Sequence, residues 1–216
     1  NEQGTVNVFK AAARMGVPVV YASSAAVYGA AEDLPLTEKV PTHPISQYGE
    51  DKLKGEVHAA ELLQTQGLSS IGVRIFNCYG PRQRNDSIDS GVIARFYELA
   101  KSKGAVTVFG DGEQTRDFVY VSDVAAFFIK AMRYLHNQPT GMQVFNVCTG
   151  DHNSLLQLID ALSEILHRKI EVDFQPPRPD SIIHSLGSNA HAQQVIGWKP
   201  RVLMRDGLKM LHDAGG

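Results

Sequence analysis

Tyr48 and Lys52, in the stretch QYGEDK, are the residues whose types and spacing most directly suggest chemistry. On a helix, positions i and i+4 share a face, so both side chains can reach one cleft. An unperturbed phenol ionises near pH ~10, and a neighbouring ammonium favours the phenolate. A tyrosine placed in this way can take a proton from an alcohol, or return one to a ketone, near neutral pH. A third group, often a hydroxyl, orients the reacting oxygen. Ser23 and Ser24 are candidates for it. They stand where a buried strand ends, and open α/β sheets bind ligands beyond the carboxyl ends of their strands. Tyr-x-x-x-Lys by itself occurs by chance in many helices, so two ordinary residues near a helix start are the plain alternative.

The elements that must position these residues can be read from periodicity. Val6, Phe9 and Ala13 fall on one helical face of the opening stretch, and Gly16 suits a helix stop. VPVVYASS is a short continuous apolar run, as in a buried parallel strand. Tyr48, Lys52, Val57, Ala60 and Leu63 make the next helix, closed by Gly67, and SSIGVRIFNCYGP reads as a strand running into a loop. This α-β-α-β order argues for a parallel sheet covered by helices. Farther on, Val92, Ile93, Phe96 and Leu99 recur at helical spacing, and AVTVFGDGEQTRDFVYV reads as two short strands about a turn. Ser122 is a candidate cap for a helix beginning near Asp123, and Ser154 for one carrying Leu155, Leu158, Ile159, Leu162 and Ile165. MQVFNVCTG is a further buried strand, and KIEVDFQ alternates like an edge strand before Pro176, Pro177 and Pro179.

Several chemistries are disfavoured. The eight histidines are scattered and no HExxH or paired-cysteine motif occurs, so no metal site is expected. GDGEQT opens as G-x-G but carries Thr115 where a third glycine would stand, and it lies between strand-like runs, so a tight turn is expected there and not a dinucleotide fingerprint. The net charge of −2 gives no pull toward nucleic acid or anionic membrane. No apolar run is long enough to span a bilayer. Cys78 and Cys148 both sit in strand-like runs, where buried free thiols suit a reducing cytoplasm.

The segments YASSAAVYG, QYGEDKLKGE, RIFNCYGPRQ, GDGEQTRDFVYVSDVA, FNVCTG and IGWKP come in an order and spacing that resemble the extended short-chain dehydrogenase/reductase family. Among its members the chain looks most like the nucleotide-sugar epimerases of the UDP-hexose 4-epimerase group. The resemblance implies an α/β fold. A partial Rossmann-like parallel sheet with helices on both faces (residues 1–80 and 119–150) would be joined by a smaller mixed α/β substrate domain (residues 81–118 and 151–216). It implies NAD as cofactor, a C4 epimerisation through a 4-keto sugar, a cytoplasmic location, and a homodimer built on the first helix and the Tyr48 helix. It casts Tyr48 as base, Lys52 as its electrostatic support and ribose ligand, and Ser24 as hydrogen-bond partner of the sugar oxygen. Cofactor contacts would come from Asn1, Ser23, Ser24, Tyr48, Lys52 and Phe76. Substrate contacts would come from Asn77, Gly91, Val92, Thr107, Phe109, Arg116, Arg178 and Ser185. A structural pair of Arg116 with Asp117 is the alternative for that arginine.

Three departures from the family pattern carry information. Where the family reads Arg-x-Gly-Asp, this chain has Arg178-Pro179-Asp180-Ser181, so the acid for a ribose hydroxyl is displaced or replaced. Where members restricted to glucose and galactose place a bulky tyrosine, this chain has Ser185, which leaves room for an N-acetyl group. Family members also carry a preceding segment with the first strand and the glycine-rich pyrophosphate turn. These residues are therefore expected to be part of a longer chain and to be inactive alone. Other readings are an ADP-heptose-type 6-epimerase, another nucleotide-sugar oxidoreductase, or a truncated non-catalytic module. A 4,6-dehydratase would place Thr-Asp-Glu where Ser24-Ala25-Ala26 stand.

Overall fold

The computed structural model describes residues 2–84, 91–138, 141–178 and 182–215. Asn1, Asp180 and Ser181 lie outside the described residues. Helix α1 (Glu2–Met15) leads into strand β1 (Val19–Ser24), a 3₁₀ turn (Ala25–Tyr28), helix α2 (Gln47–Gln66), strand β2 (Ser70–Ile75) and strand β3 (Cys78–Tyr79). Helix α3 (Val92–Lys103), the short strands β4 (Ala105–Phe109), β5 (Thr115–Arg116) and β6 (Val119–Tyr120), and helix α4 (Val121–Asn137) follow. Strand β7 (Met142–Val147), strand β8 (Asn153–Ser154), helix α5 (Leu155–Ile165), strand β9 (Glu171–Gln175) and helix α6 (Met204–Asp213) complete the order.

The main sheet is parallel, in the order β1-β2-β7, with Ala22 opposite Val73 and Val73 opposite Phe145. Side chains alternate between its faces. Ile71, Val73, Phe145 and Val147 pack against Val124, Phe127, Ala131 and Leu135 of α4. On the other face Tyr21 packs against Phe9 of α1 and Ala59 and Leu62 of α2. Helices therefore cover both faces, as the α-β-α-β pattern requires. A separate apolar cluster joins α3, β4, α5 and α6 through residues such as Phe96, Val108, Leu158 and Leu208.

Local chemistry explains where the helix carrying Tyr48 and Lys52 begins and ends. Ser46 accepts the Gly49 amide at 3.1 Å, an N-cap bond that starts α2. Gly67 ends it with φ of 70°, a left-handed conformation open to glycine at little cost. Ser154 caps α5 through a reciprocal pair with Gln157.

Two expectations fail. Ser122 caps nothing: β6 runs straight into α4 at Val121, so Ser122 already lies in the first turn. Asp123 does not cap the helix either; it accepts the amides of Arg201 and Val202 at 2.8 and 2.9 Å and so ties α4 to that distant segment. The stretch from Ala105 to Val121 is not two strands about a turn. It is divided into three short strands with separate partners: β4 pairs parallel to β9, β5 antiparallel to β8, and β6 parallel to β3. These partners come from distant parts of the chain, which periodicity within one window does not reveal.

Candidate active site

A cavity of about 600 Å³ opens at the carboxyl ends of β1 and β2, and Ser24, Tyr48, Asn77, Gly91, Arg116 and Ser185 all line it. Ser24 stands at the last position of β1, where its Oγ accepts the Ala26 amide at 3.1 Å. That bond occupies a lone pair and leaves the O–H free to donate into the cavity. Tyr48 projects from the first turn of α2 and is 46% exposed, so its phenol is open to a ligand. Lys52 lies one turn farther on, its Nζ 5.5 Å from the centroid of the Tyr48 ring. The Lys52 ammonium donates to the Ala22 carbonyl at 3.1 Å, which anchors α2 to β1. Burial pushes the Lys52 pKa below its ordinary value, and Asp51 opposes that shift.

Ser23 does not face this cavity with a free hydroxyl. It is buried and donates to Glu56 Oε1 at 2.6 Å. Phe76 is fully buried with Val27, Tyr28, Leu36 and Cys148, which leaves only its main chain for contact with a ligand. The packing behind it is tight: a Cβ on Gly187 would lie 2.6 Å from Cys148 Sγ and 2.7 Å from Phe76 Cζ. Asn77 donates from Nδ2 to the Asp117 carbonyl at 2.9 Å, so its amide oxygen is oriented by a fixed bond. Cys78 also lines the cavity, and burial raises its thiol to about 11, which keeps it protonated and unreactive.

Arg116 borders both this cavity and a second one of about 730 Å³, whose walls include Val92, Thr107, Phe109, Phe174 and Arg178. Its Nη1 donates to the carbonyls of Thr115 and Ile183 at 2.8 and 3.3 Å. It forms no ion pair with any acid among the described residues, and burial lowers its pKa. The alternative pairing with Asp117 does not occur. That carboxylate is turned away, accepting Thr149 N and Oγ1, Gly150 N and Gly187 N. A guanidinium short of an anion at the junction of two cavities suits a diphosphate. Arg178 lies over the Phe109 ring, 3.9 Å from its centroid.

Some wall residues escaped sequence reasoning. Arg95 lines the second cavity, and its place three residues after Val92 on α3 was the available signal. His184 lines the first cavity, one ring nitrogen 3.0 Å from Thr115 Oγ1. Its only signal was adjacency to Ser185. Among the described residues, no group of three or more His, Cys, Asp or Glu side chains is placed to hold a metal ion. No described helix is long and apolar enough to cross a membrane.

Residues 1–148 match the profile of the NAD dependent epimerase/dehydratase family. The chain belongs to that family. A UDP-glucose 4-epimerase of Mycolicibacterium smegmatis is 35% identical over 210 residues, covering 96% of this chain and 66% of the relative. Among solved structures, a UDP-N-acetylglucosamine 4-epimerase of Methanobrevibacter ruminantium in complex with UDP-N-acetylmuramic acid superposes with a TM-score of 0.92 at 28% identity. That match covers 100% of this chain and 68% of the other. A UDP-glucose 4-epimerase of Thermotoga maritima with UDP-glucose gives a TM-score of 0.89 at 32% identity, covering 98% and 68%. The chain thus spans about two thirds of the length of these epimerase/dehydratase family members. The family match takes in Ser24, Tyr48, Lys52, Asn77 and Arg116, whereas Arg178 and Ser185 lie beyond it.

Proposed function

We propose that this chain carries the proton-transfer and nucleotide-sugar sites of an NAD-dependent 4-epimerase acting on a UDP-hexose or UDP-N-acetylhexosamine. One observation carries the reading. Ser24 and Tyr48 share a cavity with Arg116, and Arg116 also borders a second cavity with an aromatic, arginine-bearing wall. The first cavity suits a sugar ring, the shared arginine a diphosphate, and the second a base.

The residues present fit the nicotinamide end of NAD. Lys52 uses one ammonium donor on Ala22 and keeps two for ribose hydroxyls. NAD, when bound, supplies reversible hydride exchange with the sugar carbon. Tyr48 accepts the C4 hydroxyl proton and returns it after the 4-keto sugar has turned over. Ser24 donates to the same oxygen and holds it in reach of the phenol. Lys52 supports the phenolate and seats the ribose. Arg116 and Arg178 hold the diphosphate, while Val92, Thr107 and Phe109 border the base. Ser185 leaves space for a 2-acetamido group. No Asp or Glu lines the first cavity among the described residues. That favours epimerisation over a 4,6-elimination, which needs a carboxyl acid or base at the strand end.

Residues 1–80 and 119–150 form the cofactor side in this reading, and 81–118 with 151–216 the substrate side. The outer faces of α1 and α2, with Val8 and Val57 exposed, fit a homodimer contact of two helices from each subunit. A cytoplasmic site of action follows from the substrate class. The test is incubation of the full-length protein with UDP-glucose, UDP-N-acetylglucosamine and ADP-heptose, with products identified by NMR. C4 epimers of a UDP-sugar are the expected products. Turnover of ADP-heptose alone, or of none of the three, overturns the reading.

A further inference from the structure

One rung of the main sheet is built from three buried polar side chains. Ser23 lies opposite Arg74, and Arg74 opposite Asn146, on β1, β2 and β7 in turn. All three are buried and point to the α2 face. Glu56 reaches them from α2. It accepts Arg74 Nε at 2.9 Å and Nη2 at 2.6 Å, and Ser23 Oγ at 2.6 Å. Tyr28, from the turn after β1, accepts Arg74 Nη1 at 3.0 Å and donates to Asn146 Oδ1 at 2.6 Å. Asn146 Nδ2 then donates to the Leu36 carbonyl at 2.9 Å.

The location of this network matters more than its existence. It lies one residue before the last rung of the sheet, Ser24–Ile75–Val147. Glu56 follows Tyr48 and Lys52 at i+8 and i+4 on the same face of α2. Lys52 holds the Ala22 carbonyl, and Glu56 holds Ser23, so consecutive residues of β1 are tied to consecutive turns of α2. A buried ion pair is weak evidence for stability, because apolar residues of similar volume often serve as well. Directional bonds do something that apolar packing does less well, which is to fix axial height and rotation.

We propose that the Ser23–Arg74–Asn146 rung, with Glu56 and Tyr28, is a positioning device that sets α2 against the strand ends, so that Tyr48 and Ser24 converge on one substrate oxygen. It rests on the epimerase reading above. Arg74, Asn146, Glu56 and Tyr28 do not line the sugar cavity, and Ser23, which does, spends its hydroxyl on Glu56, so the network acts through Tyr48 and Ser24.

The test is a steady-state comparison in the full-length protein of Glu56→Leu/Arg74→Met with wild type. The double substitution removes both charges together and so leaves neither one buried alone. A misplacement of reacting groups by about 1 Å can cost about a hundredfold in rate. The double variant should therefore fold and keep KM within about twofold, while kcat falls about 30- to 100-fold. Ser23→Ala removes one bond and Tyr28→Phe two, and both leave the Glu56–Arg74 ion pair, so kcat should drop about 5-fold or more in each at constant KM. Ser23→Thr, which keeps the hydroxyl, should restore most of it. Should the double variant not fold, the single variants give the same kcat-against-KM reading. A wild-type kcat in both single variants, or in a folded double variant, overturns the positioning role while the epimerase reading stands. A wild-type protein inactive on every nucleotide sugar overturns the reading itself, and the rung's role with it.

Discussion

Asp117→Asn tests how the segments of the site are held together. The Asp117 carboxylate accepts Thr149 N at 2.7 Å and Thr149 Oγ1 at 2.6 Å on one oxygen, and Gly150 N at 3.0 Å and Gly187 N at 3.3 Å on the other. An asparagine has one acceptor oxygen in place of two. With its NH₂ toward Gly150 and Gly187, two amides lose their acceptor, the Gly187 one buried and the Gly150 one part-buried. With its NH₂ toward Thr149, the hydroxyl can turn, since it already reaches the Asp151 carbonyl at 3.3 Å, and only the Thr149 amide is orphaned. The second orientation is cheaper. An orphaned buried donor costs about 1–3 kcal/mol and this part-buried one falls toward the lower end, while the bonds to Gly150 and Gly187 lose their charge assistance, which roughly halves them. Burial raises the Asp117 pKa against the pull of the four donors, so removing the charge recovers some desolvation. The balance is a loss of about 2–3 kcal/mol. Guanidinium unfolding of the full-length protein should show a lower midpoint at unchanged m-value. KM for the nucleotide sugar should also rise, because Arg116 precedes Asp117 and the Gly187 anchor of the Ser185–Gly187 segment is weakened. A loss under about 0.5 kcal/mol, the range of an ordinary surface change, would refute the assignment of Asp117 as a clamp.

Three further outcomes are expected. Ser185→Tyr should abolish turnover of UDP-N-acetylglucosamine and spare UDP-glucose; equal loss on both in a coupled assay would sink the acetamido argument. Arg178→Ala should raise KM for the UDP-sugar by about 10-fold or more. The cation–π contact with Phe109 is worth only about 0.5–1 kcal/mol, while a charge-assisted bond to phosphate is worth about 1.5–3 kcal/mol. A KM change below about twofold would place Arg178 outside the site. The lowered Lys52 pKa fixes a sign: the ammonium is present below that pKa and lost as pH rises through it, below the ordinary 10.5. Activity should therefore decline on the alkaline side below pH 10.5, and Lys52→Arg, whose guanidinium stays charged, should lose that limb from whatever activity remains. An unchanged limb in Lys52→Arg would assign it to another group.

Local rules carried the sequence reading a long way, and their reach marks where it stopped. The Gly67 stop of α2 and the Ser154 cap of α5 follow from local chemistry within one turn, and the structure adds Ser46 at the start of α2 and Gln157 as the partner of Ser154. The buried runs of β1, β2 and β7 could be read from composition alone. The motif order then brought Ser24, Tyr48, Asn77, Arg116 and Ser185 into one list, and the structure places them on one cavity wall. What failed was pairing between distant segments. Thr115 and Arg116 find their ladder partners at Ser154 and Asn153, and Thr107 at Asp173, none of which a window around Gly112 contains. Ser122 looked like a cap because its type is right, but β6 had already carried the chain into the helix.

Ser23 is the instructive case. Its neighbour Ser24 and the strand end both suggested a ligand contact, and the hydroxyl is instead committed to Glu56. Strand alternation alone was enough to part the two serines, because consecutive residues of β1 face opposite sides of the sheet. Ser24 ends the rung whose other members pack toward α4, while Ser23 belongs to the rung facing α2. Glu56, read without the sheet, was one more acid on a helix, and Arg74 a charge inside an apolar strand with no visible reason to be there. Register gives the reason: the arginine at the centre of the rung needs the carboxylate of α2, and that carboxylate stands two turns from Tyr48. The α2 face that in the proposed reading offers a proton acceptor to the sugar also offers an anion to the sheet, and the spacing of Tyr48, Lys52 and Glu56 joins that proposed chemistry to the fold that must aim it.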